Sequence, residues 1–156
     1  HNSATCGQIR DVVVPNLAPH PYTHICLQIG MNDLKNWHSG KRFCKEFGEL
    51  LYAVRTKFPE AKIFWSQGVD MTEVPALPQK LGEIANLRRI IINERGTQLC
   101  VERGAVVVTP LMDLQPEGFC IDGFHAAAMG YDAWADHLLT HWDYEPRTAP
   151  AAAPYL

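Results

Sequence analysis

Three short apolar runs constrain the fold more than any other feature of the chain: Ile25-Cys26-Leu27-Gln28-Ile29, Ala61 to Ser66 (AKIFWS) and Ala105-Val106-Val107-Val108. Each is too short for a helix, rich in β-branched or aromatic residues and closed by a turn signal, as for a strand buried on both faces. Long segments with apolar residues at helical spacing lie around and between them. Gly7 to about Leu17 carries Ile9, Val12, Val13 and Asn16 at that spacing, and Pro19 and Pro21 stop it. Ser39-Gly40 opens a helix whose stripe is Phe43, Phe47, Leu50, Leu51, Val54 and Phe58, ending at Pro59. Leu81 to about Arg103 is a third helix, with Gly96 inside it and Gly104 as its stop. Ala126 to Trp142 is the last, with Met129, Ala133, Trp134 and Leu138 on one side. This alternation predicts an α/β fold: a three-layer α/β/α sandwich around a parallel sheet. The segments Gly68 to Pro78 and Pro110 to Phe124 are long for connectors, and long loops at strand ends shape pockets.

Composition narrows the function. Fourteen Lys+Arg stand against 17 Asp+Glu, a formal charge of −3, so there is no basic stripe for nucleic acid. No run approaches the ~18 apolar residues of a membrane span, and His1-Asn2-Ser3-Ala4-Thr5-Cys6-Gly7 is not a signal peptide. Five Cys, an odd number without C-x-x-C spacing, read as free and mostly buried thiols and lean towards a cytoplasmic location. His137 and His141 lack a third ligand partner, and no G-x-G-x-x-G or P-loop occurs, so no metal or organic cofactor is expected. Residues 1–142 form the expected domain, and residues 143–156 a Pro/Ala-rich tail.

Three segments on the edge where the strands end carry chemistry. In Asp122-Gly123-Phe124-His125 a glycine allows a tight turn, so the carboxylate can reach imidazole Nδ1 while Nε2 faces outward. That is half of a hydrolytic triad, in which Asp122 fixes the tautomer and His125 takes a proton from a nucleophile. Asn32, after a buried strand and Gly30, offers a neutral amide donor, and Gly7 at a helix start offers a close backbone N–H; a developing oxyanion needs such donors. Asp33 is read as bracing its loop. Ser66, at a strand end, and Phe124 are the candidate substrate-binding residues. Taken singly, each of these residues also has an ordinary turn, cap or packing reading.

Together the segments resemble the SGNH/GDSL hydrolase superfamily, a flavodoxin-like family of esterases, lipases, thioesterases and carbohydrate deacetylases. Asn2 to Gly7 resembles the family's second block, Gly30-Met31-Asn32-Asp33-Leu34 its third and Asp122-Gly123-Phe124-His125 its fifth, with Ala126 standing where Pro is usual. The resemblance implies Gly7 and Asn32 as oxyanion-hole donors and His125 with Asp122 as base and orienter. The first block, G-D-S-L, which supplies the nucleophile, has no counterpart, since Ser3, Ser39 and Ser66 all lack that context. The strand-helix-strand unit that should precede the second block is likewise absent, and the chain starts with His1 rather than Met. The expectation is therefore an N-terminally incomplete hydrolase domain, inactive alone, whose first apolar strand is left as an open edge that pairs with the absent segment or self-associates. Ser3, Ser66 and Cys6 are the substitute nucleophiles, Cys6 because a helix N-terminus can lower a thiol pKa. The expected function is acyl ester hydrolysis of a small-molecule substrate through a Ser-His-Asp mechanism. The alternative is a non-catalytic binding or interaction module that lost its nucleophile.

Overall fold

A computed structural model describes residues 3–142, so the expected tail over 143–156 lies outside the described residues. In chain order the elements are α1 (Cys6–Gln8), a π-helical turn (Ile9–Val13), α2 (Val14–Asn16), β1 (His24–Leu27), α3 (Met31–Lys35), α4 (Gly40–Lys57), β2 (Lys62–Ser66), a 3-10 turn (Met71–Glu73), α5 (Gln79–Arg103), β3 (Val106–Val108), a second 3-10 turn (Pro116–Gly118) and α6 (Ala128–Leu139). The three strands form one parallel sheet in the order β1-β2-β3, with Ile25 opposite Ile63 and Trp65 opposite Val107.

β2 lies between the other two and shows the period of a strand buried on both faces. Ile63 and Trp65 join a core with Phe43, Phe47, Leu50 and Leu51 of α4 and with Ile92 and Cys100 of α5. Phe64, on the opposite face, joins Val108 and Leu138, with Trp134 and Trp142 packed alongside. Helices thus cover both faces, which is the α/β/α layering read from the sequence.

Gly96 explains itself in this packing. A Cβ there would fall on the indole of Trp65, within 2.6 Å of Cζ3, and Trp65 is fully buried. The glycine lets a 25-residue helix lie against the largest side chain of the core. Gly104, by contrast, adopts φ 65° and ends α5 in the left-handed conformation. Ser39 caps α4 by accepting from the Arg42 N–H at 3.2 Å.

Several local expectations are corrected. The first helix is interrupted by a π turn that ends two residues before Pro15, a residue that cannot donate to the helical ladder. Gly30 to Asp33 is not plain loop: Gly30, at φ 111°, leads into the short helix α3. α6 begins two residues later than expected because Ala126 forms an antiparallel bridge with Phe119, and Ala127 N–H donates to Gly118 O at 2.8 Å. Met129 is 60% exposed rather than packed. Of the five free cysteines Cys6 and Cys100 are buried, Cys26 and Cys44 half-buried and Cys120 exposed.

Candidate functional site

The chain returns to one corner beyond the C-terminal end of β1, where the start of α1 meets α3. Thr5 and Gln8 cap α1 reciprocally: Thr5 Oγ1 accepts from Gln8 N–H at 3.4 Å, and Gln8 Oε1 accepts from Thr5 N–H at 2.9 Å. Asp33 Oδ2 accepts from Cys6 N–H at 3.1 Å. A helix start leaves its first N–H groups without intrahelical partners. Two are now spent, and the Gly7 N–H has no hydrogen-bond partner among the described residues. Asn32 Nδ2 donates one hydrogen to Ala4 O at 3.1 Å, which ties its carboxamide to the same stretch and leaves a second hydrogen to give. The starts of α1 and α3, which carry Gly7 and Asn32, are thus tied to each other.

Asp33 is completely buried. Its second oxygen lies 3.0 Å from His38 Nδ1, and Glu46 Oε2 lies 3.5 Å from the same nitrogen. Glu46 also accepts from Arg42 Nε at 2.7 Å, and its carboxylate stands 3.2 Å from where a Gly7 Cβ would be. Sequence reasoning passed over His38 and Glu46. The available signal was a glutamate set among the apolar stripe of α4, one residue before Phe47. Asp33, His38 and Glu46 could each offer one ligand atom to a cation, but their donors and acceptors are largely committed to one another and to Cys6 and Arg42.

The second group lies on the loop after β3. Asp122 Oδ1 accepts from the N–H groups of Phe124 at 2.9 Å and His125 at 3.0 Å, and Oδ2 lies 2.6 Å from His125 Nδ1. The His125 contact, then the two backbone donors, hold the Asp122 carboxyl well below the usual carboxylate range. Gly123 makes the turn at φ 64°, and its carbonyl accepts from Ala76 N–H at 3.0 Å. Glu73 Oε2 accepts from Leu114 N–H at 3.1 Å, so the loop after β2 holds the loop after β3 at two points. The His125 side chain is 74% exposed and its Nε2 has no hydrogen-bond partner among the described residues. Phe124 is partly exposed, its ring edge-on to the imidazole at 5.8 Å.

The substitute nucleophiles fare differently. Ser66 is buried, and its Oγ accepts from Trp134 Nε1 at 3.2 Å, so it docks α6 rather than lining an open wall. The expectation for the Cys6 thiol is reversed, because burial, and then the Asp33 carboxylate, push its pKa up rather than down. None of Ser3, Cys6 and Ser66 hydrogen-bonds His125.

The family model for GDSL-like Lipase/Acylhydrolase matches residues 8–138. The chain belongs to the GDSL-like lipase/acylhydrolase family. A comparison with curated proteins gave no match. Among solved structures, a protein from Parabacteroides merdae ATCC 43184 described as a GDSL-like lipase is similar with a TM-score of 0.69 and 13% identity, over 89% of this chain and 68% of that one. A family 3 carbohydrate esterase from Clostridium thermocellum has a TM-score of 0.67 and 18% identity, over 90% of this chain and 65% of that one. A variant of an acetyl-xylooligosaccharide esterase from Geobacillus stearmophilus has a TM-score of 0.62 and 16% identity, over 92% of this chain and 69% of that one. The GDSL-like chain therefore spans about two thirds of the length of these structures. At such identities the likeness supports the fold, and it agrees with the family assignment.

Proposed function

We propose that the chain supplies the base and the oxyanion-binding half of an acyl ester hydrolase of Ser-His-Asp type. The observation that carries the reading is the 2.6 Å contact between Asp122 and His125 Nδ1, which leaves Nε2 open to a reacting group. A serine in a G-D-S segment outside these 156 residues attacks the acyl carbonyl, and His125 Nε2 takes its proton while Asp122 steadies the imidazolium. The carbonyl oxygen, now an anion, receives the Gly7 N–H and the free Asn32 amide hydrogen. His125 returns the proton to the departing alkoxide, and water then repeats the sequence on the acyl-enzyme, with no metal or organic cofactor. β1, which pairs only with β2 among the described residues, is where a strand of the G-D-S segment would add.

Acetylated carbohydrates are the first substrates to try, since one structural neighbour is described as a carbohydrate esterase and another as an acetyl-xylooligosaccharide esterase. A chain-length series of acyl esters separates them from longer lipids. In the natural protein, a fluorophosphonate probe should label a G-D-S serine encoded upstream of His1. Asn32→Ala should lower kcat by about 10²–10³-fold, as for the loss of one oxyanion donor. Absence of labelling together with an unchanged kcat would sink the reading and favour a binding module.

A further inference from the structure

The oxyanion corner has two carboxylates directly behind it, and this is electrostatically the wrong sign. Asp33 is completely buried beneath Cys6, and Glu46 stands behind Gly7 with its Oε2 buried and without a hydrogen bond. A buried carboxylate takes whatever donors lie within reach. Cys6 N–H already donates to Asp33, and the next backbone N–H in the chain, that of Gly7, has no partner among the described residues. His38, 7% exposed at its side chain, lies between the two acids, with Nδ1 3.0 Å from Asp33 Oδ1 and 3.5 Å from Glu46 Oε2. Its backbone is fixed as well, because His38 N–H donates to Asp33 O at 2.9 Å and Arg88 Nη2 donates to His38 O at 2.9 Å. Arg42 reaches Glu46 Oε1 from the solvent side, while His38 Nδ1 faces both carboxylates from within.

We infer that His38 is a positioning residue of the oxyanion corner: its Nδ1–H occupies Asp33 Oδ1 and faces Glu46, which keeps both carboxylates from capturing the Gly7 N–H and the Asn32 amide. Asp33 Oδ2 is then held on Cys6 N–H, and the Gly7 N–H and the second Asn32 amide hydrogen stay free to be given. The inference rests on the ester-hydrolase reading for its catalytic consequence but not for its geometry.

The test uses the natural protein with its G-D-S segment, p-nitrophenyl acetate as substrate, and two variants. His38→Phe keeps a ring and removes the donor, whereas His38→Asn restores an N–H near the Nδ1 position. His38→Phe should lower kcat by about 10–100-fold with KM nearly unchanged, part of the loss expected when a whole oxyanion donor is removed. His38→Asn should recover most of that loss. Equal kcat in wild type and His38→Phe, or no recovery in His38→Asn, overturns the inference. Should His38→Phe not fold, a long-range proton-nitrogen NMR spectrum of the wild type decides, with a proton on His38 Nδ1 expected and a bare Nδ1 contradicting it. A wild type that hydrolyses no acyl ester counts against the ester-hydrolase reading alone. The geometry is then still tested by the Gly7 and Asn32 amide resonances, which should shift in His38→Phe and return in His38→Asn.

Discussion

His125 Nδ1 lies 2.6 Å from Asp122 Oδ2, and the other oxygen of that carboxylate accepts the backbone N–H groups of Phe124 and His125. One side chain thus shapes the turn with one atom and orients the imidazole with the other. Asp122→Asn can keep the first role while spoiling the tautomer. In the natural protein kcat should fall by about 10⁴-fold, the scale set by the same exchange in a serine protease triad. Circular dichroism should be unchanged, and a comparable loss of helix signal would mean that Asp122 acts on the fold instead.

The depressed pKa of Asp122 has a pH consequence. A carboxyl lower in the folded than in the unfolded state contributes stability present above the unfolded value, lost only as pH falls through the folded one. The group is exposed, so solvent screens most of that contribution. Asp122 should therefore remain ionised while pH drops through the ordinary carboxylate range. Carbon-13 NMR of the Asp122 carboxyl should show no titration there, and a midpoint near 4 would contradict the hydrogen bonding described.

Gly123 is the hinge of the His125 turn. It has φ 64°, and a Cβ would meet Ala76 N at 3.0 Å. Gly123→Ala should shift the loop rather than the core. A displacement near 1 Å at a reacting group costs up to about 100-fold, so kcat should fall by about 10–100-fold with only a small change in Tm. Equal loss of Tm in Gly123→Ala and a core variant would place this glycine in the fold's stability instead.

Gly96→Ala and Gly104→Ala separate two reasons for a glycine. The first drives a methyl into buried Trp65 and should cost about 1–3 kcal/mol by overpacking, even though alanine favours the helix. The second has open space around it but needs φ 65°, and should cost about 1–2 kcal/mol through backbone strain. Urea denaturation of both variants checks this. A neutral Gly96→Ala would mean that α5 does not lie against Trp65 as described.

Thiol reactivity should follow burial. Cys100 is pushed up to about 12 and Cys26 to about 11, and Cys6 is raised as well, in each case first by desolvation. Exposed Cys120 should react with iodoacetamide well before these three, as read by mass spectrometry of the digested protein. Prior alkylation of Cys6 would contradict its burial beside Asp33.

Much of the architecture was legible because β2 is short and buried on both faces while the stripe of α4 is continuous, and both patterns survive without tertiary information. Gly7, Asn32, Asp122 and His125 stand out as candidates because they fall in blocks of residues with fixed spacing. His38 and Glu46 were not, because they matter through Asp33 and Gly7, neighbours set by packing rather than by sequence distance. Ser66 looked like a pocket residue because it ends a strand, but the Trp134 indole, 68 positions away, covers it. α6 starts later than its sequence predicts because the run from Ala126 to Ala128 favours helix locally, while the bridge between Phe119 and Ala126 overrides it.

Whether His125 is the base of an acyl ester hydrolase is decided by p-nitrophenyl acetate turnover in the natural protein and its His125→Ala variant. Steady hydrolysis by the wild type and its loss in the variant, with the fold intact, is the expected result. Turnover retained in His125→Ala would contradict it.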